Sequence, residues 1–283
     1  MSTFLLVIVI TAIAGVGGTG IGGLFGAIFH RNSEKTVSLL LSFAGGVMLG
    51  VVCFNLLLDA INQNVESKSH IFIVIAALLL GYGVIFLLNY AIDRATNPEV
   101  PHIDKEHPKT ADQLSELIHS DHYEEHKKQK NVRELFIGGM VMASAIALHN
   151  LPEGMVIGSS YANEDAVSFT VSGGMALAIV IGLHNIPEGM SVSVPLITGG
   201  VSKLKAVLMT ALTGAPTILG AMLGYSLGSL GPLSLALSLS FASGAMLYVV
   251  FGELLPEAIL MWKSKAPAFG MLLGLIVGMI IIF

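Results

Sequence analysis

Apolar stretches long enough to cross a bilayer follow one another almost without pause along this chain of 283 residues. A helical span needs about 20 mostly apolar residues. That ruler predicts eight spans: 3 to 29, 36 to 61, 71 to 93, 134 to 160, 168 to 196, 202 to 228, 232 to 262 and 266 to 283. Composition agrees, because 54% of residues are hydrophobic and only 12% charged, whereas roughly a quarter of a soluble globule is charged. The expected fold class is an all-α polytopic membrane protein. The apolar run in the first 30 residues has no Lys or Arg before it and no clear cleavage signal, so it reads as the first span rather than a removable signal peptide.

The cations set an expected orientation. If both termini are outside, Arg31, Lys35, Arg94, Lys105, Lys109, Lys127, Lys128, Lys130, Arg133, Lys203, Lys205, Lys263 and Lys265 fall on the cytoplasmic side and only Lys68 falls outside. That asymmetry satisfies the positive-inside rule and supports the count of spans, since one missed or false span would scramble the sides. Residues 94–133 form the sole long hydrophilic segment, expected in the cytoplasm. The division is then 1–93 for spans 1 to 3, 94–133 for this loop, 134–196 for spans 4 and 5, and 197–283 for spans 6 to 8. No basic patch suggests nucleic acid. Cys53 is the only cysteine, so neither a disulfide framework nor a paired-thiolate metal site is available.

Sliding the chain against itself by 198 residues aligns spans 1 and 2 with spans 6 and 7. Twelve of the twenty positions over 42–61 are then identical, among them Ser42-Phe43-Ala44 with Ser240-Phe241-Ala242, and Thr19, Gly22 and Gly26 meet Thr217, Gly220 and Gly224. Chance likeness of apolar helices gives scattered leucine matches, not a gapless run with polar positions in register. Five spans separate each pair, so the copies cross in opposite directions. Inverted repeats with a site near the midplane at the repeat interface are a transporter arrangement.

The polar residues inside the fourth and fifth spans supply the chemistry. His149-Asn150-Leu151-Pro152-Glu153-Gly154-Met155 returns 35 residues later as His184-Asn185-Ile186-Pro187-Glu188-Gly189-Met190. A charged residue at a helix centre costs ~2.5 to 3.5 kcal/mol on insertion scales, so those that remain face a partner, a cavity or an ion path. Positions i and i+4 share a helix face, which sets His149 over Glu153 and His184 over Glu188 as chelating pairs. Pro152 and Pro187 remove one helical hydrogen bond each and free the carbonyls of Leu148 and Leu183. Asn150 and Asn185 add neutral oxygens on a neighbouring face. Imidazole with carboxylate suits zinc, iron(II), cobalt, nickel or manganese, and the absence of thiolate argues against a copper(I) specialist. A packed histidine and a proline kink explain one copy, but not two with a buried glutamate each.

These motifs, the eight spans and the long loop resemble the ZIP family of zinc and iron permeases, particularly its prokaryotic members, along the whole chain. The resemblance implies a 3+2+3 arrangement, both termini outside and a His-bearing cytoplasmic loop. It assigns a primary metal site to His149, Glu153, His184 and Glu188, with Asn150 and Asn185 joining the two glutamates in a second site. It also implies an elevator-like movement of spans 1, 4, 5 and 6 against 2, 3, 7 and 8, for which the four-residue glycine spacing in spans 1 and 6 offers smooth faces. One departure stands out. Many relatives carry a glutamate in span 6 that bridges into the second site, whereas here Thr217 falls about where it would be, so the second site is expected to be weak or absent.

Asn55 and Asp59 in span 2, and Glu253 and Glu257 at the matching places in span 7, are pathway candidates, the first pair approaching the outer face and the second the inner. Five histidines of the loop, His102, His107, His119, His122 and His126, are candidates for weak metal binding or sensing, although beside Glu124, Glu125 and several lysines a merely hydrophilic segment is the favoured account. The expected function is import of zinc or a related divalent transition metal (iron, manganese, cobalt and cadmium included) into the cytosol by alternating access. No phosphate loop points to ATP drive. A metal-gated channel or membrane metal sensor is the alternative. An intramembrane metalloprotease is disfavoured, because His-Glu-x-x-His is absent. Expected partners are divalent metal ions as cargo and the lipid bilayer, with a homodimer as an open option and no organic cofactor.

Overall fold

The computed structural model describes residues 3–28, 34–63, 70–96, 132–162 and 173–282. Among these residues every regular element is a helix and none is a strand. This follows from the apolar sequence, since a helix satisfies its own backbone polar groups where water is absent. The helices are α1 (Thr3–Ile28), α2 (Lys35–Asn62), α3 (His70–Thr96), α4 (Val132–Tyr161), α5 (Gly173–Thr198), α6 (Lys203–Gly228), α7 (Pro232–Met261) and α8 (Ala266–Ile282). Six of them, α1, α2, α3, α5, α6 and α7, contain a stretch long and apolar enough to cross a membrane, and α8 is a shorter apolar helix. This is a multi-pass membrane protein. Helix α4 runs for 30 residues and carries His149, Asn150 and Glu153 in its length. The five loop histidines lie outside the described residues.

The long helices are not uniform. π turns interrupt α1 at Ile13–Gly17, α2 at Val52–Leu56 and α7 at Val249–Leu254. Helix α6 breaks at Gly214 and Ala215, where short i→i−3 bonds precede Pro216, a residue with no N–H to continue the ladder. These irregularities follow the 198-residue offset of the sequence. The π turn of α2 maps onto that of α7, and the π turn of α1 maps onto the break in α6.

Glycines show the same symmetry in packing. A methyl group on Gly22 of α1 would overlap the Ile186 carbonyl of α5, and one on Gly189 of α5 the Thr19 carbonyl of α1. The matching contacts join α6 to α4: Gly220 against the Leu151 carbonyl and Gly154 against the Thr217 carbonyl. Likewise Gly46 and Gly274 bring α2 onto α8, while Gly244 and Gly81 bring α7 onto α3. Small residues let backbones approach this closely, which matters where lipid offers no hydrophobic drive for helices to associate.

Between these pairs, Leu56 and Val52 of α2, Val156 and Ile157 of α4, Ile181 of α5 and Met246 and Val250 of α7 form a continuous buried core. His70 at the start of α3 ties back to the Ala60 carbonyl of α2 at 2.9 Å. Ser38 of α2 donates to the Ala258 carbonyl of α7 at 2.5 Å. The outward faces are apolar, with Phe72, Leu79, Leu80 and Leu87 of α3 each more than 60% exposed. Such a surface suits lipid rather than water.

Candidate metal centre

Helices α4 and α5 pack against each other and carry the two motifs into the interior. His149, Asn150, Glu153, His184, Asn185 and Glu188 are each at most 4% exposed. Both helices continue through their motif prolines, Pro152 and Pro187, so the i,i+4 relation survives. His184 Nε2 lies 2.9 Å from Glu188 Oε1 and 3.6 Å from Glu153 Oε1. One ligand atom from each of Glu153, His184 and Glu188 fits within 4.8 Å of the others. Both oxygens of Glu153, Oε2 of Glu188 and Oδ1 of Asn185 are buried without a hydrogen bond of normal geometry. Buried polar atoms are normally satisfied, and buried carboxylates are normally paired or coordinate a cation. One imidazole and two carboxylates are the donor set that zinc and other first-row divalent ions accept.

His149 takes a different partner. Its Nε2 contacts Glu253 Oε2, within the π turn of α7. Glu253, read from the sequence as an acid of the inner pathway, thus touches the α4 motif directly, and the spacing of residues within a single helix held no signal for that contact. The π turn inserts an extra residue per turn and re-aims the side chains beyond it.

The asparagines are held by the irregular turns. Asn150 Nδ2 donates to the Ile146 carbonyl at 2.9 Å and to the Thr213 carbonyl of α6 at 3.0 Å. Thr213 is free to accept because Pro216 has no N–H and the Thr217 N–H bonds Gly214 instead. Thr217 Oγ1 in turn donates to Asn150 Oδ1 at 3.2 Å. Asn185 Nδ2 donates to the Ala14 carbonyl in the π turn of α1 at 3.3 Å. The repeat partner of Thr217, Thr19, sends its hydroxyl to the Gly15 carbonyl at 2.9 Å.

Asn55 and Asp59 lie apart from this cluster. With Gln63, Ser159, Ser160 and Leu177 they line a cavity of about 190 Å³ between α2, α4, α5 and α7, and no motif residue reaches it. Asn55 Oδ1 is buried there without a partner. Glu257 sits one turn beyond Glu253, partly exposed near the end of α7.

Comparison with known proteins gives this arrangement its context. The profile of the family described as ZIP Zinc transporter matches residues 2–283. A zinc transporter ZupT of Clostridium perfringens is 30% identical, covering 98% of this chain and 95% of its own length. Those of Akkermansia muciniphila and Campylobacter jejuni are 34% and 33% identical over 90% and 93% of this chain, and over 88% and 89% of their own lengths. The match spans the apolar helices, both motifs and the glycine crossings alike, and the chain therefore belongs to the ZIP zinc transporter family.

Proposed function

We propose that this protein carries zinc or a related divalent transition-metal ion across the membrane into the cytosol by alternating access, without ATP hydrolysis. The observation that carries the reading is the buried group of Glu153, His184 and Glu188, in which both oxygens of Glu153 and Oε2 of Glu188 lack hydrogen bonds of normal geometry at the packing of α4 on α5. Its family relatives bear the name zinc transporter. In the proposed cycle these three residues bind the ion with His149, the asparagines flank it, and imidazole and carboxylate replace the water it sheds. Protons compete for the same donors, because ligands must be deprotonated to bind metal.

In this reading α4 and α8 cross the bilayer with the other six helices, in a 3+2+3 order with both termini outside. The 94–133 loop and its histidines then face the cytosol. Asn55 and Asp59 offer oxygen donors on the outer side, and Glu253 and Glu257 receive the ion on the inner side. The contact between His149 and Glu253 supports the inner half, since it links a motif histidine to an acid outside the two motif helices. The pairing of α1 with α5 and of α6 with α4 supports a unit of α1, α4, α5 and α6 that moves against the rest.

Zinc uptake into proteoliposomes under an inward metal gradient tests this. The intact protein is compared with Glu153→Gln plus Glu188→Gln at equal reconstitution. Saturable uptake that the double variant loses is the expected result. Equal uptake by both, or none by either, would sink the carrier reading and bring the sensor forward.

A further inference from the structure

We propose that Asn89 and Tyr248 are positioning residues for Glu253, which together hold the π turn of α7 in the register that sets Glu253 against His149. The inference rests on the reading of Glu153, His184 and Glu188, with His149, as the ion site. It names residues outside that site that act on it through Glu253.

The π turn at Val249–Leu254 carries Glu253, the acid that contacts His149 Nε2. Such turns are rare, and a sparsely populated backbone form persists where its surroundings select it. Tyr248 is the residue on which this turn begins. Its ring lies along the turn, because a methyl group on Gly252 would stand 2.9 Å from the ring Cε2. A glycine directly before Glu253 thus lets the ring and the backbone of the turn meet.

Helix α3 fixes the ring from its other side. Asn89 Nδ2 donates to the Tyr248 hydroxyl at 3.0 Å, and both residues are buried. Tyr82 and Phe86 meet the same ring edge to face, at centroid distances of 5.3 and 6.0 Å, the arrangement that aromatic pairs prefer. Gly81 and Gly244 bring the two backbones together earlier along the same crossing. Asn89 stands beside the exposed Leu87 and Leu88 of an apolar helix. A polar amide is retained within a span where it bonds to another helix, and the bond made here goes to the residue that opens the π turn.

The repeat supplies the contrast. In α2 the 198-residue offset puts Gly50 in the place of Tyr248 and Asn55 in the place of Glu253. Gly50 presses onto α8, where a methyl group would lie 3.1 Å from the Leu275 carbonyl, so that position sets no ring against the π turn of α2. Asn55 lines the cavity apart from the motifs. The copy with the tyrosine is the copy whose π turn reaches a motif histidine.

The test measures zinc affinity by equilibrium dialysis and the initial rate of zinc uptake into proteoliposomes. The full chain is compared with Tyr248→Phe, Asn89→Leu and the two combined, each with Glu253 present and again with Glu253→Ala. The combined variant removes both partners, so neither is left buried and unmet. A looser hold on Glu253 frees His149 for the ion. With Glu253 present, the combined variant is therefore expected to bind zinc ~3-fold tighter, within the net worth of a neutral hydrogen bond, and to move it more slowly. With Glu253→Ala the same substitutions are expected to change neither quantity, since residues that act through one another are not additive. Unchanged affinity and rate in the combined variant overturn the proposal, as do effects of equal size with and without Glu253. Affinity and rate that fall together overturn it too, because they mark a general loss of structure. If the combined variant does not fold, Tyr248→Phe, which keeps the ring, decides by the same comparison. A full chain that binds no zinc, or whose binding survives Glu153→Gln, overturns the ion site itself, a result distinct from all of these.

Discussion

Glu153 is buried with neither oxygen in a hydrogen bond of normal geometry, so an ionised Glu153 burdens the metal-free fold, and in the proposed function it serves the ion. Glu153→Gln is expected to leave the melting temperature of the metal-free protein unchanged or raised, because an ionised carboxylate is costlier to bury than an amide. Zinc affinity by equilibrium dialysis should drop at least ~100-fold, more than the 10- to 100-fold typical of losing a group that only orients a ligand. A melting temperature that falls while affinity holds would make Glu153 a structural residue. His149 gives the opposite sign. Its Nε2 is engaged by Glu253, and an ion that recruits this imidazole must first break that contact. Glu253→Ala should tighten zinc binding by roughly 10-fold, the lower end of what a charge-assisted hydrogen bond is worth, and slow turnover in uptake assays. Weaker binding in this variant would instead make Glu253 a ligand in the resting site. The motif residues were legible because the spacing within a helix fixes which side chains share a face. The contacts of Glu253 with His149 and of Thr213 and Ala14 with the asparagines were not, because each partner comes from another helix and meets the motif only through packing; Thr217 was brought near the motif only by the family resemblance.

At the scale of elements, the sequence placed the apolar stretches on helices, since length and composition alone decide where a membrane helix runs. It did not disclose the π turns of α1, α2 and α7, which depend on packing against neighbours rather than on residue preference. The glycine spacing was visible, yet its partners were not. Gly220 abuts the Leu151 carbonyl and the Met155 amide of α4, while Gly83 in α3 has nothing within 4 Å of where a methyl would stand. Gly220→Ala must therefore push α6 off α4, at a cost of about 1 to 3 kcal/mol as for other overpacked sites, and it should also lower uptake by displacing Thr217 from Asn150. Gly83→Ala should be neutral or stabilise by up to ~1 kcal/mol, since alanine is the better helix former. Thermal melts of the two variants in one detergent check this. Equal effects would mean that the α4–α6 contact is not close in the membrane.

For the whole molecule, the proposed arrangement of eight spans puts positions matched by the 198-residue offset on opposite sides of the bilayer. Gln63 follows the end of α2, and Lys263 follows the end of α7, its repeat partner. Cys53 is the sole cysteine, so a Cys53→Ser background gives a clean reporter chain. With the termini outside, Gln63→Cys in intact cells should react with a membrane-impermeant thiol reagent. Lys263→Cys should react only after the cells are permeabilised. The reverse pattern would invert the protein and place Lys263, Lys265 and Lys35, which lies 5.6 Å over the Trp262 ring, on the outer face against the positive-inside bias. Labelling of both positions from one side would be the more damaging result. It would mean that α2 and α7 run in the same direction, and that Glu253 and Asn55 stand at one end of the molecule rather than on two sides of the ion.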